Sequence, residues 1–364
     1  MKKKVLVAMS GGLDSSVAAY LLLRKGYDVA GITMCLGLHH AAGAKKRTED
    51  IGAIADARRV CRMLGVAHYI MDCRALLRRE VIDDFVAEYA AGRTPNPCVR
   101  CNRYLKFGAL LRQAHALGFP YLATGHYAMH GTYQQQPVLR RPKDLHKDQT
   151  YFLYGIPKQA LRRVIFPLGR LTRDEVLHIA RAARLPAADK PQSQDICFIP
   201  GKDYARFLAS EGYRSTPGDI TDDRGVILGK HKGIIHYTIG QRGGLGIGSS
   251  EPLYVRDIDA LRNRLVVCGR KGLAAGGLTA GHVNLHVHKL PARVSVKIRY
   301  GHAAVPARAR VRNGNLTVMF DRAQDAVTPG QSAVLYDRGA LLGGGVIERV
   351  IRTGGHNRTK RRQA

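Results

Sequence analysis

Short buried apolar runs alternate with longer amphipathic stretches through the first half of the chain. Val5 to Met9 (VLVAM) is apolar throughout and β-branched at Val5 and Val7, with lysines before it and glycines after it. It predicts a buried strand. From Ser16 the period lengthens: Val17, Leu21 and Leu22 share one side of a helix that Gly26 stops. Tyr27 to Met34 (YDVAGITM) predicts a second strand, Asp50 to Gly65 an amphipathic helix and Tyr69 to Asp72 a third strand. Leu76 to Tyr89 reads as a helix and Pro120 to Thr124 as a fourth strand. Strands separated by helices imply an α/β fold, a parallel sheet covered on both faces.

The helical period fades after Pro200, leaving a short helix over Tyr204 to Glu211. From Gly218 onward short strands alternate with Gly, Asp and Asn turns. Val294 to Tyr300 (VSVKIRY) alternates with Lys297 and Arg299 outward. ARARV and LTVMF flank Asn313-Gly314-Asn315, a strong hairpin signal. With AVLYD and GGGVIERV these strands predict a small closed β-barrel. The expected division is an α/β catalytic domain over 1–204, a β-rich domain over 205–280, a barrel over 281–354 and a basic tail over 355–364. HYTIGQRGGLGIG, His236 to Gly248, holds too many glycines for a regular strand. It reads as a loop laid along a sugar–phosphate chain, with Arg242 supplying charge, or as plain turn structure.

The turn behind the first strand is SGGLDSS, Ser10 to Ser16. Strand, glycine turn and helix aim backbone N–H groups and the positive end of a helix dipole at one spot, which suits a phosphate. Gly11 and Gly12 allow close approach, Ser10, Ser15 and Ser16 add hydroxyls, and Asp14 is a candidate magnesium ligand. Neither Gly-Lys-Ser/Thr nor G-x-G-x-x-G is present. The string resembles the SGG-x-DS loop of the PP-loop pyrophosphatases, adenine nucleotide alpha hydrolase-like enzymes that split ATP between its α and β phosphates to adenylate an oxygen.

Charge narrows the partners. Lys plus Arg total 58 against 28 acidic residues, a net +30, which favours a polyanion such as nucleic acid. MKKKVLVAMSGG turns to glycine before any long apolar run, so no signal peptide or membrane span is expected. Seven cysteines, an odd number, point to reduced thiols in a cytoplasmic protein.

Two of those thiols stand in GRTPNPCVRCNRYLKFG. Cys98 and Cys101 are three apart where a helix begins, with Arg100, Arg103 and Lys106 nearby, an arrangement expected to lower a thiol pKa. Half of a zinc site and a redox dithiol are the competing readings. His39 and His40 read as a solvated pair, Cys73 shows no partner, and Cys197 within PQSQDICFI reads alone as a core cysteine.

Taken together, GRTPNP, CN before a basic helix, ATGHYA, KDQ-x-YFLY, ICFI, HYTIGQRGGLGIG and VTPGQSAVLY resemble, in order, the tRNA-specific 2-thiouridylase family. The resemblance implies ATP held by Ala8, Met9, Ser10, Gly11, Gly12, Leu13, Asp14, Ser15, Met34 and Gly125. It implies Cys101 as nucleophile, Cys197 as persulfide carrier and a Cys101–Cys197 disulfide after sulfur transfer. It also implies tRNA contacts at His126, Lys147, Asp148, Gln149, Arg299, Tyr300 and Gln331. The implied partners are ATP with Mg2+, tRNAs for Lys, Glu and Gln, and a persulfide-donating relay protein. Many members carry Asp where this chain has Cys98. That departure opens a variant in which Cys98, Cys101 and Cys197 ligate a [4Fe–4S] cluster. A PP-loop synthetase of small metabolites, or an RNA-binding protein with a degenerate loop, are rivals that leave the cysteines or the intact SGGLDS unexplained.

Overall fold

The computed structural model describes residues 2–38, 49–186, 188, 196–199, 201 and 203–353. The His39–His40 pair and the tail over 355–364 lie outside the described residues. The N-terminal part is built on a parallel sheet of β1 (Lys4–Ala8), β2 (Asp28–Cys35), β3 (His68–Asp72), β4 (Tyr121–Ala123) and β7 (Val164–Ile165), in the order β3-β2-β1-β4-β7. Val5, Leu6 and Val7 of the central β1 are wholly buried, as an unbroken apolar run in a sheet covered on both faces requires. The helices are α1 (Leu13–Arg24), α2 (Glu49–Met63), α3 (residues 74–90), α4 (residues 97–116), α5 (Arg173–Ala182) and α6 (Tyr204–Ser210). Pro97 occupies the first turn of α4, where its missing N–H costs nothing. Over Cys101–Leu110 that helix widens to π-type hydrogen bonding, a feature concentrated at functional sites. A reciprocal capping box, Thr172 with Glu175, starts α5.

Between β4 and β7 the chain makes a hairpin that the hydrophobic pattern did not foretell: β5 (Met129–Tyr133) and β6 (Gln136–Arg140). Further on come a four-stranded sheet of β8 (Gly218–Thr221), β9 (Ile227–His231), β10 (Tyr254–Asp259) and β11 (Arg264–Cys268), and then the barrel. The barrel strands are β12 (Ala274–Leu285), β13 (Val294–Lys297), β14 (Val305–Arg312), β15 (Asn315–Asp325), β16 (Ser332–Asp337) and β17 (Ala340–Arg352), closed by pairing of β12 with β17. Strand β12 therefore spans the expected 280/281 boundary. Asn313 and Gly314 both have positive φ, 49° and 74°, the backbone a two-residue hairpin turn demands.

The hairpin joins the outer parts. β6 pairs with β17, placing Leu139 opposite Leu341. Side chains alternate along β6: Val138 packs in the barrel core while Leu139 and Leu341 pack in the core of the parallel-sheet domain. The expected strand over 294–300 ends at Lys297, and Arg299 does not face outward. It turns inward and donates to the carbonyls of Ile239 and Ala326 at 2.9 and 3.0 Å, and to Thr328 Oγ1. A guanidinium that satisfies two carbonyls and a hydroxyl ties the glycine-rich loop to the barrel. That loop contains no strand over 236–248, as its glycines predict. Among the described residues no helix is long and apolar enough to cross a membrane.

Leu341 is fully buried where the two cores meet. Leu341→Ala is expected to cost about 2–5 kcal/mol of stability, read as a lower denaturant midpoint.

Candidate active site

Strand order reverses between β1 and β4, which opens a crevice beyond their carboxyl ends. The loop after β1 is Ser10–Gly12 and the loop after β4 is Thr124–His126, and the two touch. A Cβ at Gly125 would stand 2.7 Å from the Asp14 carbonyl carbon and 2.8 Å from the Ser15 nitrogen, so only glycine fits. Gly11 has φ +72°, and a Cβ there would meet Asp56 Cβ and the Ala53 carbonyl of α2. The Ser10 N–H donates to Ser15 Oγ at 3.2 Å, and Ser15 and Ser16 hydroxyls donate back to the Gly12 carbonyl at 3.1 and 2.8 Å. The turn thus bonds within itself at the N-terminus of α1, which has no side-chain cap. Ala8, Met9, Leu13 and Met34 pack around it, with Met9 and Leu13 buried and Ala8 and Met34 half-buried.

Asp14 departs from its expected role. Its Oδ1 accepts from Arg173 Nη1 at 2.5 Å and from the Tyr127 hydroxyl at 3.1 Å. Burial raises its pKa, opposed by Arg173, Tyr127 and Lys147. A carboxylate already facing a guanidinium does not fit a magnesium site. Arg173 was missed by sequence reading; the Thr172–Glu175 capping box was the available signal, since it fixes the first turn of α5. The polar trio expected to meet tRNA surrounds this loop. Lys147 lies within electrostatic range of Asp14, and the Gln149 side-chain carbonyl accepts from the Tyr127 N–H at 2.8 Å. Asp148 is buried, accepting from Arg141 Nε at 2.6 Å and from the Thr150 N–H and hydroxyl.

The thiols form a second cluster. Cys98 and Cys101 stand at the start of α4, and Cys197, nearly a hundred residues on, comes within electrostatic range of both. Cys98 and Cys197 are exposed and Cys101 is half-buried. Lys106 is the cation common to all three, and it also faces His126. The expected lowering of the thiol pKa is reversed. Burial raises Cys98 and Cys101, and pushes Cys197 up to about 12 with the neighbouring thiols adding. Surrounding protein displaces part of the water a thiolate needs, and that desolvation is the largest cause of each shift. The arginines meant to offset this point elsewhere. Arg100 donates to the Glu80 carbonyl and pairs with Asp84 at 3.0 Å, and Arg103 lies over the Tyr104 ring. Cys73, passed over in the sequence, is buried within range of Cys101 and Cys35. No disulfide is present among the described residues. Among the described residues no group of three or more His, Cys, Asp or Glu side chains is placed to hold a metal ion.

His126 hydrogen-bonds Thr124 Oγ1 through Nδ1 at 2.7 Å. Burial first, and Lys106 second, hold its pKa well below 6.5, so it is neutral at pH 7. Gln331 donates to the Thr94 carbonyl at 3.0 Å, tying the barrel to GRTPNP. Tyr300 is 40% exposed, its ring 4.5 Å from Phe152, with the Lys297 ammonium 5.2 Å from its centroid. Lys106 links the two groups of residues: it faces His126, next to the Gly125 that packs on the Ser10–Ser15 turn, and lies within electrostatic range of all three thiols.

Gly125→Ala is expected to weaken ATP binding about tenfold or more, some 1.4 kcal/mol, because its Cβ meets main chain that cannot yield. Titration with a fluorescent ATP analogue measures this. Because burial raises all three thiol pKa values, the thiolate fraction at neutral pH is small. Iodoacetamide labelling of Cys98, Cys101 and Cys197, followed by peptide mass spectrometry, is expected to keep accelerating above pH 9 in the free enzyme.

The tRNA methyl transferase HUP domain model matches residues 3–201, the tRNA methyl transferase PRC-barrel domain model 205–269, and the aminomethyltransferase beta-barrel domain model 275–347. The chain is 50% identical over 351 residues to the tRNA-specific 2-thiouridylase MnmA 1 of Syntrophus aciditrophicus, covering 96% of this chain and 94% of that one. It is 44% identical to the tRNA-specific 2-thiouridylase MnmA 1 of a Thermoanaerobacter species, over 97% of this chain and all of that one. A third relative, the tRNA-specific 2-thiouridylase MnmA of Carboxydothermus hydrogenoformans, is 44% identical over 96% of this chain and 98% of its own. With its three domains matched in order and these relatives aligned almost end to end, the chain belongs to the tRNA-specific 2-thiouridylase family.

Proposed function

We propose that this protein is an ATP-dependent tRNA-uridine 2-sulfurtransferase that forms 2-thiouridine at the wobble position, in tRNAs for Lys, Glu and Gln. The observation that carries the reading is the gathering of Cys98, Cys101 and Cys197 within electrostatic range of Lys106, a cation that also faces His126 beside the Ser10–Ser15 turn. Backbone N–H groups and serine hydroxyls at that turn hold the triphosphate. The uridine O2 attacks the α-phosphorus, pyrophosphate leaves, and the C2–O bond now ends in AMP. Arg173 holds the Asp14 carboxylate in place.

Sulfur arrives as a persulfide on Cys197, delivered by a relay protein to an exposed thiol. The terminal sulfur attacks C2 and expels AMP, joining uridine to Cys197 through an S–S link. Cys101 thiolate then attacks the Cys197 sulfur. That S–S bond breaks, its electron pair stays with the sulfur on C2, and 2-thiouridine leaves a Cys101–Cys197 disulfide. An alternative order, in which Cys101 first attacks the persulfide and frees hydrosulfide, reaches the same products. External thiol returns the pair to the reduced state. Lys106 is the cation that offsets burial for each thiolate. A base stacked on Tyr300, or a phosphate against Lys297, suits the barrel side of the cleft, with His126 presenting a neutral ring.

Incubation with ATP, a persulfide source and unmodified tRNA, followed by nucleoside mass spectrometry, tests the reading. Wild type is expected to form 2-thiouridine, and Cys101→Ser or Cys197→Ser to lose it by at least about a hundredfold while tRNA-dependent pyrophosphate release persists. Full thiolation by either variant with a persulfide donor rejects the assigned relay.

A further inference from the structure

A cavity of about 600 Å³ lies between α3, α4 and the segment 157–163, away from both the nucleotide turn and the thiols. Arg79, Arg103, Arg112 and Arg163 line it, over an apolar floor that includes Leu111. Its single acidic group, Glu80, is already occupied, bonded by Arg79 Nε at 2.9 Å and faced by Arg100. Among the described residues Arg103, Arg112 and Arg163 have no carboxylate partner. Three unpaired guanidiniums around one concavity repel each other, and an anion seated among them removes that cost. Tyr104 shares the cavity wall and carries Arg103 over its ring at 5.4 Å and Arg100 at 5.0 Å.

We propose that this cavity is a second tRNA contact, seating backbone phosphates of the strand that runs away from the reacting base. The inference rests on the tRNA reading above and adds a site to it. The cavity and the thiols share α4: that helix carries Cys98 and Cys101 at its start and Arg112 near its end. Tyr104 and Arg103 also line the narrower cleft beside Val99 and Arg100. Cys101 and Arg112 stand towards opposite ends of this helix, so an RNA strand that reaches both is engaged over several nucleotides. Phosphate contacts there set the register of the RNA without reading its sequence. The apolar floor favours RNA over free phosphate, because it offers a surface for sugar and base.

Arg112 and Arg163 are exposed, so the double variant R112A/R163A is expected to fold normally, checked by its melting curve. Its affinity for unmodified tRNA, read by fluorescence anisotropy between 50 and 200 mM salt as about the range to scan, is expected to fall about tenfold or more. The slope of log K against log salt should shrink by about 1.4–1.8. R112K/R163K should retain most of the slope, ATP affinity should not change, and single-turnover thiolation at saturating tRNA should stay near wild type. An unchanged salt slope in R112A/R163A overturns the site. So does competition by millimolar inorganic phosphate that abolishes the wild-type difference, since that marks a free-anion pocket. If wild type forms no 2-thiouridine, the functional reading fails separately, and the salt slope still decides the cavity.

Discussion

Everything at the cleft depends on one close approach, Gly125 against the main chain of Asp14 and Ser15. Two loops from neighbouring parallel strands can share a crevice only where strand order reverses, and here they share it at van der Waals distance with no room for a side chain. That contact sets how far the phosphate turn stands from His126 and, through Lys106, from the thiols. The serine hydroxyls lock the same turn by bonding its own carbonyls, so its remaining N–H donors are aimed before any ligand arrives.

Burial and charge oppose each other at the sulfur side, and burial wins in the free protein. Lys106 stabilises thiolates at Cys98, Cys101 and Cys197, yet each thiol pKa is raised because surrounding protein replaces water. The balance suits a reactive sulfur kept protonated until substrate and partner are in place. His126 shows the same physics from the other side: burial beside a cation holds it neutral.

Three polar or apolar ties keep the cleft from opening between domains. Gln331 reaches the GRTPNP loop, Arg299 clamps the glycine-rich loop to the barrel, and the hairpin over 129–140 inserts side chains into two cores at once. Residues expected to touch RNA at Arg299, Asp148 and Gln331 spend their polar atoms on these and similar internal contacts. Tyr300 and Arg112 of α4 remain exposed.

The sequence by itself determined the parallel sheet, the phosphate turn, the helix that starts at the CVRC pair and the Asn313–Gly314 hairpin. Each is a local pattern in which residues within one or two turns set the backbone. The family's motifs, met in order, also brought Cys101 and Cys197 together on paper. Only the tertiary structure decided the rest. Arg173 reaches Asp14 across 159 positions, and no local period encodes such a pairing. The hairpin at β5–β6 depends on β17, which lies some two hundred residues later. The direction of the thiol pKa shifts came from surrounding protein that a linear chain does not possess, so neighbouring arginines in sequence misled where distant burial ruled.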